Sequence, residues 1–314
     1  MAKTLYIVVP CYNEQEVLPE TAKRLFRKLA DLINLKKAHH NSKVLFVNDG
    51  SKDATWEMIK ILHEESSVFA GIDLAKNCGH QNALFAGLMV AKDRADYVIS
   101  MDADLQDDIE AVDAMVDKAN EGYDIVYGVR SSRERDGFFK RTSAVCFYKL
   151  MKAMGVDIVY NHADYRLMNK ASLYALSEFK EVNLFLRGLV PMIGLRSAEV
   201  TYERGSRFAG VSKYPLRKMI RFAIEGVTSL SVKPIRMITI IGLLSFIASM
   251  IMLIYFIYDY FQGGTIAGWA STIVSIWAIG GLQLLAIGII GEYIGKIYLE
   301  VKERPRYIIR EELR

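Results

Sequence analysis

The chain is poor in the residues and signatures that mark several common chemistries. Only three cysteines occur in 314 residues, Cys11, Cys78 and Cys146, scattered and without Cys-X-X-Cys spacing. That pattern argues against a disulfide framework and a cysteine-held zinc ion, and suits reduced thiols in a cytosol-facing domain. His39-His40, His80 and His162 lack metal-ligand spacing and are expected on the surface or in loops. No Gly-X-Gly-X-X-Gly follows the first apolar run and no Gly-Lys-Ser/Thr loop occurs, so neither a dinucleotide fold nor a P-loop enzyme is supported. A net charge of +4 is too small to imply nucleic-acid binding. Internal repeats and low-complexity tracts are missing as well. A strand opens almost at the first residue, so no cleavable signal peptide is expected.

Apolar residues, by contrast, make up 52% of the chain. The mean hydropathy of +0.14 is high for a wholly soluble protein, and the excess lies late in the sequence. Leu5-Tyr6-Ile7-Val8-Val9 and Val44-Leu45-Phe46-Val47 are continuous apolar runs, as expected of strands covered on both faces. Residues 69–74, 97–100 and 124–129 supply three more. Helical periodicity lies between them: from Val17 to Leu32, from Asp53 as a cap through Leu62, up to Ala91, and from about Ile109 to Asn120. This alternation predicts an α/β fold with a mostly parallel sheet and right-handed crossovers. Ligands of such sheets bind beyond the carboxyl ends of the strands. Polar clusters at residues 10–14, 48–51, 77–82 and 102–106 each follow a strand and should share that rim.

The run Tyr97-Val98-Ile99-Ser100-Met101-Asp102-Ala103-Asp104 is the focus of the first half. A buried strand there ends abruptly in carboxylates. Residues two apart on an extended chain point to one side, so Asp102 and Asp104 can face a single site. Two such carboxylates suit a hard divalent cation that also takes phosphate oxygens. The competing reading is a solvated acidic turn in which Asp107 or Asp108 caps the next helix.

Val8-Val9-Pro10-Cys11-Tyr12-Asn13-Glu14, Val47-Asn48-Asp49-Gly50-Ser51 and Met101-Asp102-Ala103-Asp104-Leu105-Gln106, in this order and spacing, resemble family 2 glycosyltransferases of the GT-A fold. His162-Ala163-Asp164-Tyr165-Arg166-Leu167-Met168, Gly210-Val211-Ser212-Lys213-Tyr214 and two late apolar segments extend the resemblance over the whole chain. The likeness there is to polyprenyl-phosphate glycosyltransferases: bactoprenol glucosyltransferases and, more distantly, dolichol-phosphate mannose synthases. It implies that Pro10, Asn13 and Glu14 line a base and ribose pocket and that Asp49 contacts the nucleoside. Pro10 would set a turn that aims the side chains after it. The loop carrying Asn77 and Gly79 would lie by the nucleotide, Gly79 letting backbone come close. Asp102 and Asp104 would meet Mg2+ or Mn2+, Asp104 directly and Asp102 at metal or ribose, with Gln106 adding an oxygen or touching the sugar. The metal would neutralise the departing nucleoside diphosphate.

For the acceptor side, the resemblance points to Arg130 and Arg133 in a basic loop after the fifth strand. Arginine gives a lipid phosphate fixed, bidentate donors; the alternative is a solvated charged surface. Asp164 and Arg166 are read in an irregular stretch, either as active-site groups or as a structural ion pair. A phosphate monoester has its second pKa near ~6 and is mostly ionised at neutral pH. Asp164 is therefore expected to orient Arg166 or a sugar hydroxyl rather than to remove a critical proton. The implied reaction is one inverting displacement from a nucleotide-sugar to a polyprenyl phosphate, with UDP-glucose expected before UDP-N-acetylglucosamine and GDP-mannose. No Gln-X-X-Arg-Trp of processive polysaccharide synthases occurs, which favours transfer of a single sugar. Competing functions are the same chemistry on another lipid or glycan acceptor, and a non-catalytic nucleotide-sugar-binding membrane anchor.

Residues 1–214 are thus expected to form a cytoplasmic catalytic domain. Residues 205–214, with Arg207, Ser212 and Lys213, read as a loop that closes over the site or as a plain linker. Residues 215–232 have the apolar and basic faces of an interfacial helix. Two uncharged spans, about 237–258 and 269–290, are each long enough to cross roughly 30 Å of hydrocarbon. Gly280-Gly281, Gly288 and Gly291 allow close helix contact and would permit a homo-oligomer. Lys233 and Arg236 precede the first span, Lys296, Lys302, Arg304 and Arg306 follow the second, and the connection carries Asp259 without Lys or Arg. The positive-inside rule then places both chain ends, including a basic tail at 296–314, on the cytoplasmic side of a cell inner membrane. Two helices are too few for a sugar channel, so a separate flippase and a downstream glycosyltransferase are implied partners.

Overall fold

The computed structural model describes residues 2–131, 154, 162–203, 205, 226–262 and 268–314. Arg133, residues 206–214 and most of the expected interfacial helix lie outside the described residues; of that helix residues 226–232 are described, and 226–230 are helical.

Four strands, β1 (Leu5–Cys11), β2 (Lys43–Asn48), β3 (Phe69–Leu74) and β4 (Tyr97–Ser100), carry the apolar runs and are buried along nearly their whole length. Alternate residues serve two cores. Leu5, Ile7 and Val9 pack with Leu25, Leu29 and Leu32 of α1 (Leu18–Asn34), with Trp56 and Ile59 of α2 (Thr55–Glu65), and with Val112 and Met115 of α4 (Ala111–Asn120). Tyr6 and Val8 face the opposite core, where α3 (His80–Ala91) brings Ala83, Leu84 and Leu88. Gly87 lets α3 approach closely, because a Cβ there would lie 2.4 Å from Val8 Cγ1.

The sheet has eight strands in the order β7-β5-β6-β4-β1-β2-β3-β8, with β5 at Ile125–Arg130, β6 at His162–Asn169, β7 at Ser197–Tyr202 and β8 at Ile309–Leu313. The pairs β1–β2, β1–β4, β2–β3 and β5–β7 are parallel; pairs involving β6 or β8 are antiparallel. The expected irregular stretch around Asp164 and Arg166 is therefore a strand. It is inserted between β4 and β5, with Leu167 opposite both Ile99 and Val126. Running against its neighbours, β6 brings its first residues to the edge where β4 and β1 end. Two short helices, α5 (Lys170–Ser177) and α6 (Leu186–Met192), follow it.

Two further expectations change. Pro10 does not set a turn: it lies buried inside β1, opposite Val47. Val8 accepts from Met101 N on the β4 side, and Pro10, two residues on, turns the same way, past the last β4 partner Ser100. Its missing N–H therefore falls where no ladder bond is required. The expected basic tail is not a tail throughout, since β8 pairs with β3 at the sheet edge, Ile72 opposite Glu312. Charged side chains suit such an edge, because they discourage further strand addition.

Between residues 226–230 and β8 run α7 (Lys233–Phe261) and α8 (Trp269–Val301). They contain stretches, Lys233–Met252 and Ala278–Val301, long and apolar enough to cross a membrane, and almost none of either is buried in the protein. The chain thus leaves the α/β domain, runs through both helices and returns to the sheet.

Candidate active site

Parallel β1, β2 and β3 end at one edge of the sheet, and the loops after them are tied together. Asn13 adopts a left-handed φ of 55°, a region asparagine tolerates better than most residues. Its N–H donates to Ser51 Oγ at 3.0 Å, and its Oδ1 accepts from Lys52 N at 2.8 Å. The Glu14 N–H donates to Thr55 Oγ1 at 3.0 Å. Asp49 is buried, and its carboxylate accepts from Cys78 N at 2.7 Å and Gly79 N at 3.0 Å. Burial pushes its carboxyl up from the ordinary range, against the pull of those two amides. Gly50, at φ 63°, packs so closely that a Cβ would lie 2.5 Å from Asn77 N. Asp49 thus acts as a clamp that fixes the 77–79 loop beside the 48–51 loop, leaving Asn77 exposed at the edge.

The acidic side lies at the end of β4. Asp104 Oδ1 accepts from Gln106 N at 3.2 Å, across Leu105 in a left-handed conformation. Gln106 is buried, and its carbonyl accepts from Gly205 N at 2.9 Å. On β6, Asp164 and Arg166 are two residues apart and share a face. Arg166 Nη2 donates to Asp164 Oδ1 at 2.9 Å, and Arg187 Nη2, from α6, donates to Asp164 Oδ2 at 3.0 Å. Arg166 is sealed from solvent and also donates to the carbonyl of Leu186 at 3.3 Å, whereas Arg187 keeps 30% of its side chain exposed. His80 Nε2 stands 3.4 Å from Asp102 Oδ1 and 3.7 Å from Asp164 Oδ2.

These neighbours drive the carboxylates apart. Burial alone would raise the Asp164 carboxyl, but Arg187, Arg166 and His80 hold it far below the ordinary range. Asp102 moves the other way: burial raises it, Asp164 and Asp104 add to the rise, and His80 opposes it. Nearby, Arg130 at the end of β5 lies 3.8 Å from Asp107 Oδ1 and donates to the Tyr202 hydroxyl at 3.4 Å. That hydroxyl in turn donates to Asp107 at 2.5 Å.

The structure therefore brings Asp102, Asp104, Asp164 and Arg166 together, sets Asn13, Glu14 and Asp49 along the same edge, and places Arg130 beside the 104–108 loop. Sequence reading missed His80, expected in a loop but standing at the start of α3 between two acids. It also missed Arg187 and Tyr202, and read Asp107 only as a candidate helix cap. His80 had one signal, its place in the polar cluster 77–82; Arg187 had none, being one polar residue in a short apolar helix. The segment ahead of α6 is tied to α8: Glu300 accepts from Val182 N at 2.8 Å and Asn183 N at 2.9 Å.

Asp102 and Asp104 offer two hard oxygen ligands at an open strand end, a donor set that fits Mg2+ or Mn2+. Among the described residues, no group of three or more His, Cys, Asp or Glu could hold a metal ion alone. A cation here would therefore complete its shell with oxygens of a bound ligand or water.

A family model for glycosyl transferase family 2 matches residues 6–176 of this chain. The chain belongs to that family. Glycosyl transferase family 2 membership makes it a glycosyltransferase, and the sheet and rim are those of the GT-A fold. This family 2 chain is 55% identical to the glycosyltransferase YkoT of Bacillus subtilis (strain 168), over 97% of its own length and 90% of that protein. It is 39% identical to the SfII prophage-derived bactoprenol glucosyl transferase of Shigella flexneri, over 97% of both chains. Among solved structures it is similar to the mannosyltransferase PcManGT from Pyrobaculum calidifontis in complex with GDP-Man and Mn2+, with a TM-score of 0.51, 18% identity, and 72% of this chain and 63% of that one covered. That last likeness is one of fold.

Proposed function

We propose that this glycosyltransferase moves one sugar from a nucleotide-sugar, UDP-glucose first, to a polyprenyl phosphate at the cytoplasmic face of a membrane, with Mg2+ or Mn2+ and inversion at the anomeric carbon. The observation that carries this reading is the pairing, on one rim, of the acidic couple Asp102 and Asp104 with the arginine-flanked Asp164. The similarity to a bactoprenol glucosyl transferase supports the acceptor, and PcManGT, solved with a sugar nucleotide and Mn2+, supports the metal.

In this reading Asn13, Glu14, Asp49, Asn77 and Gly79 shape the pocket for base and ribose. Asp102 and Asp104 would hold a divalent cation, with Gln106 beside it, and a cation held there would supply neutralisation of the leaving nucleoside diphosphate. An oxygen of the acceptor phosphate supplies the electron pair for the new bond to C1, and the pair of the old C1–O bond leaves with the diphosphate. Because that phosphate is already anionic, no strong base is required. Asp164 fits a positioning role: its charge is committed to Arg166 and Arg187, and it presents Arg187 to the cleft. Arg187, Arg130 and Arg133 are the cations assigned to the acceptor phosphate.

Residues 1–214 together with the returning strand β8 form the catalytic unit in this scheme, and α7 and α8 span the bilayer. Support for the topology comes from the return of β8 to the sheet, since a chain anchored to one domain on both sides of a helical pair must cross an even number of times. Lys and Arg at the outer ends of both helices favour the cytoplasmic side.

The test is transfer in membranes containing the protein, with radiolabelled UDP-glucose, UDP-N-acetylglucosamine or GDP-mannose offered to polyprenyl phosphate, diacylglycerol or glycan acceptors. The expected outcome is labelled polyprenyl-phosphate glucose, lost with EDTA, restored by Mg2+ or Mn2+, and abolished in Asp104→Ala. Label on another acceptor, or transfer indifferent to chelation, overturns the reading.

A further inference from the structure

Behind the donor side of the rim a chain of hydrogen bonds runs from the last strand to the first loop. Asp73, near the end of β3, is fully buried, and its Oδ1 accepts from Asn48 Nδ2 at 2.7 Å. Its Oδ2 accepts from Arg310 Nε at 2.6 Å, and Arg310 Nη2 also contacts that oxygen. Asn48 passes the connection on: its Oδ1 accepts from Ser51 N at 3.3 Å, and Ser51 Oγ accepts from Asn13 N at 3.0 Å. The same strand braces the neighbouring loop, because Ala75 N donates to Ile308 O at 2.9 Å, just ahead of residues 77–79. Trp56 Nε1 to Glu311 at 3.2 Å helps hold β8 in place.

We propose that Arg310 is a positioning residue for nucleotide-sugar binding: through Asp73 and Asn48 it holds the 48–51 loop in the shape that receives the donor. The proposal rests on the reading of that loop as part of the donor pocket. An ion pair that merely stabilised the fold would contribute little here, since the Arg310 side chain is 61% exposed. What separates this pair from an ordinary surface bridge is its other end. Asp73 has no exposure, and its second oxygen orients a buried amide whose own oxygen caps the loop. Without the guanidinium, a buried charge loses its partner, and the Asn48 amide and the Ser51 N–H are the groups that must rearrange.

The experiment uses the full chain in lipid nanodiscs. UDP and GDP binding are measured calorimetrically with Mn2+, and donor and acceptor kinetics are measured in parallel. Arg310→Ala is expected to weaken nucleotide binding and raise donor KM about tenfold, with kcat and acceptor KM within about twofold. Arg310→Lys should recover most of the loss. Asp73→Asn should match Arg310→Ala, and the double variant should be no worse than either alone. Amide exchange at Ser51, Cys78 and Gly79 should quicken while the centre of β2 stays protected. Unchanged nucleotide affinity and unchanged Ser51 exchange in Arg310→Ala overturn the proposal, even if thermal stability falls. Should that variant not fold, Asp73→Asn decides by the same two readouts, with wild-type values in both overturning the proposal. If the wild type itself binds neither nucleotide, the donor-site reading fails and this proposal falls with it.

Discussion

Asp164 on β6 and Asp107 in the loop after β4 are 5% and 4% exposed, both close to the Asp102 and Asp104 pair. Burial is the leading influence on each, yet they end at opposite extremes. Asp164 lies within 3.0 Å of two guanidinium groups and is held far below the ordinary carboxylate range. Asp107 has one cation, Arg130 at 3.8 Å, and one hydrogen bond from Tyr202, and it is pushed up to about 6. Its Oδ2 has no partner among the described residues. A unit charge pair near 4 Å is worth about 4 kcal/mol at an effective dielectric near 20. At Asp107 burial and the nearby Asp102 carboxylate outweigh that one partner, whereas two closer ones reverse the effect of burial for Asp164. One carboxylate is thereby a fixed charge that orients arginines, and the other is a titrating group beside Arg130.

The largest effect expected from breaking this contrast is in Asp164→Asn, which strands Arg166 without its counter-ion in a sealed site. Urea unfolding of the detergent-solubilised chain should show a loss of about 3–5 kcal/mol; a loss below about 1 kcal/mol would mean the arginines find other partners. Next is the pH dependence of Asp107. Its folded pKa lies above the unfolded value of about 3.9, so its contribution to stability is fully present below that value and lost as pH rises through about 6. Asp107→Asn should remove that loss, so the stability of the variant relative to wild type should climb between acidic and neutral pH, by at most about 3 kcal/mol. Asp164 carries the opposite sign: its contribution is present above the unfolded value and disappears as acid protonates it. Arg187→Gln removes one of its two cations, and should cost about 1–2 kcal/mol while moving acid unfolding to higher pH. The smallest change is Arg130→Gln, expected to alter stability by less than about 1 kcal/mol but to push Asp107 further up, read as a titration midpoint at higher pH for its carboxyl carbon in 13C NMR.

The rim loops were legible because each follows a plain apolar strand: Asp49 after β2, Asp102 and Asp104 after β4. Asp164 and Arg166 could be named as well, but not the strand that carries them, and β6 shows why. Its residues Asp164 and Arg166 occupy positions where a buried strand would ordinarily carry apolar side chains, and their mutual ion pair, with Arg187 and the Leu186 carbonyl, offsets the cost of burying them. A hydrophobic pattern cannot reveal a pair whose second cation, Arg187, arrives from a helix 23 residues on. For β8 the obstacle was different. Arg310, Glu311 and Glu312 read as a solvated tail, and only the open edge of β3 turns them into a strand.

That edge has a consequence for how the chain is made. Strand β8 lies beyond α7 and α8 in sequence, so it leaves the ribosome only after both apolar helices have emerged. Until then β3 presents unpaired backbone to its surroundings and Asp73 lacks Arg310. The last stitch in the sheet is thus sewn after the two apolar helices, and a nascent chain that still lacks them also carries an unfinished sheet.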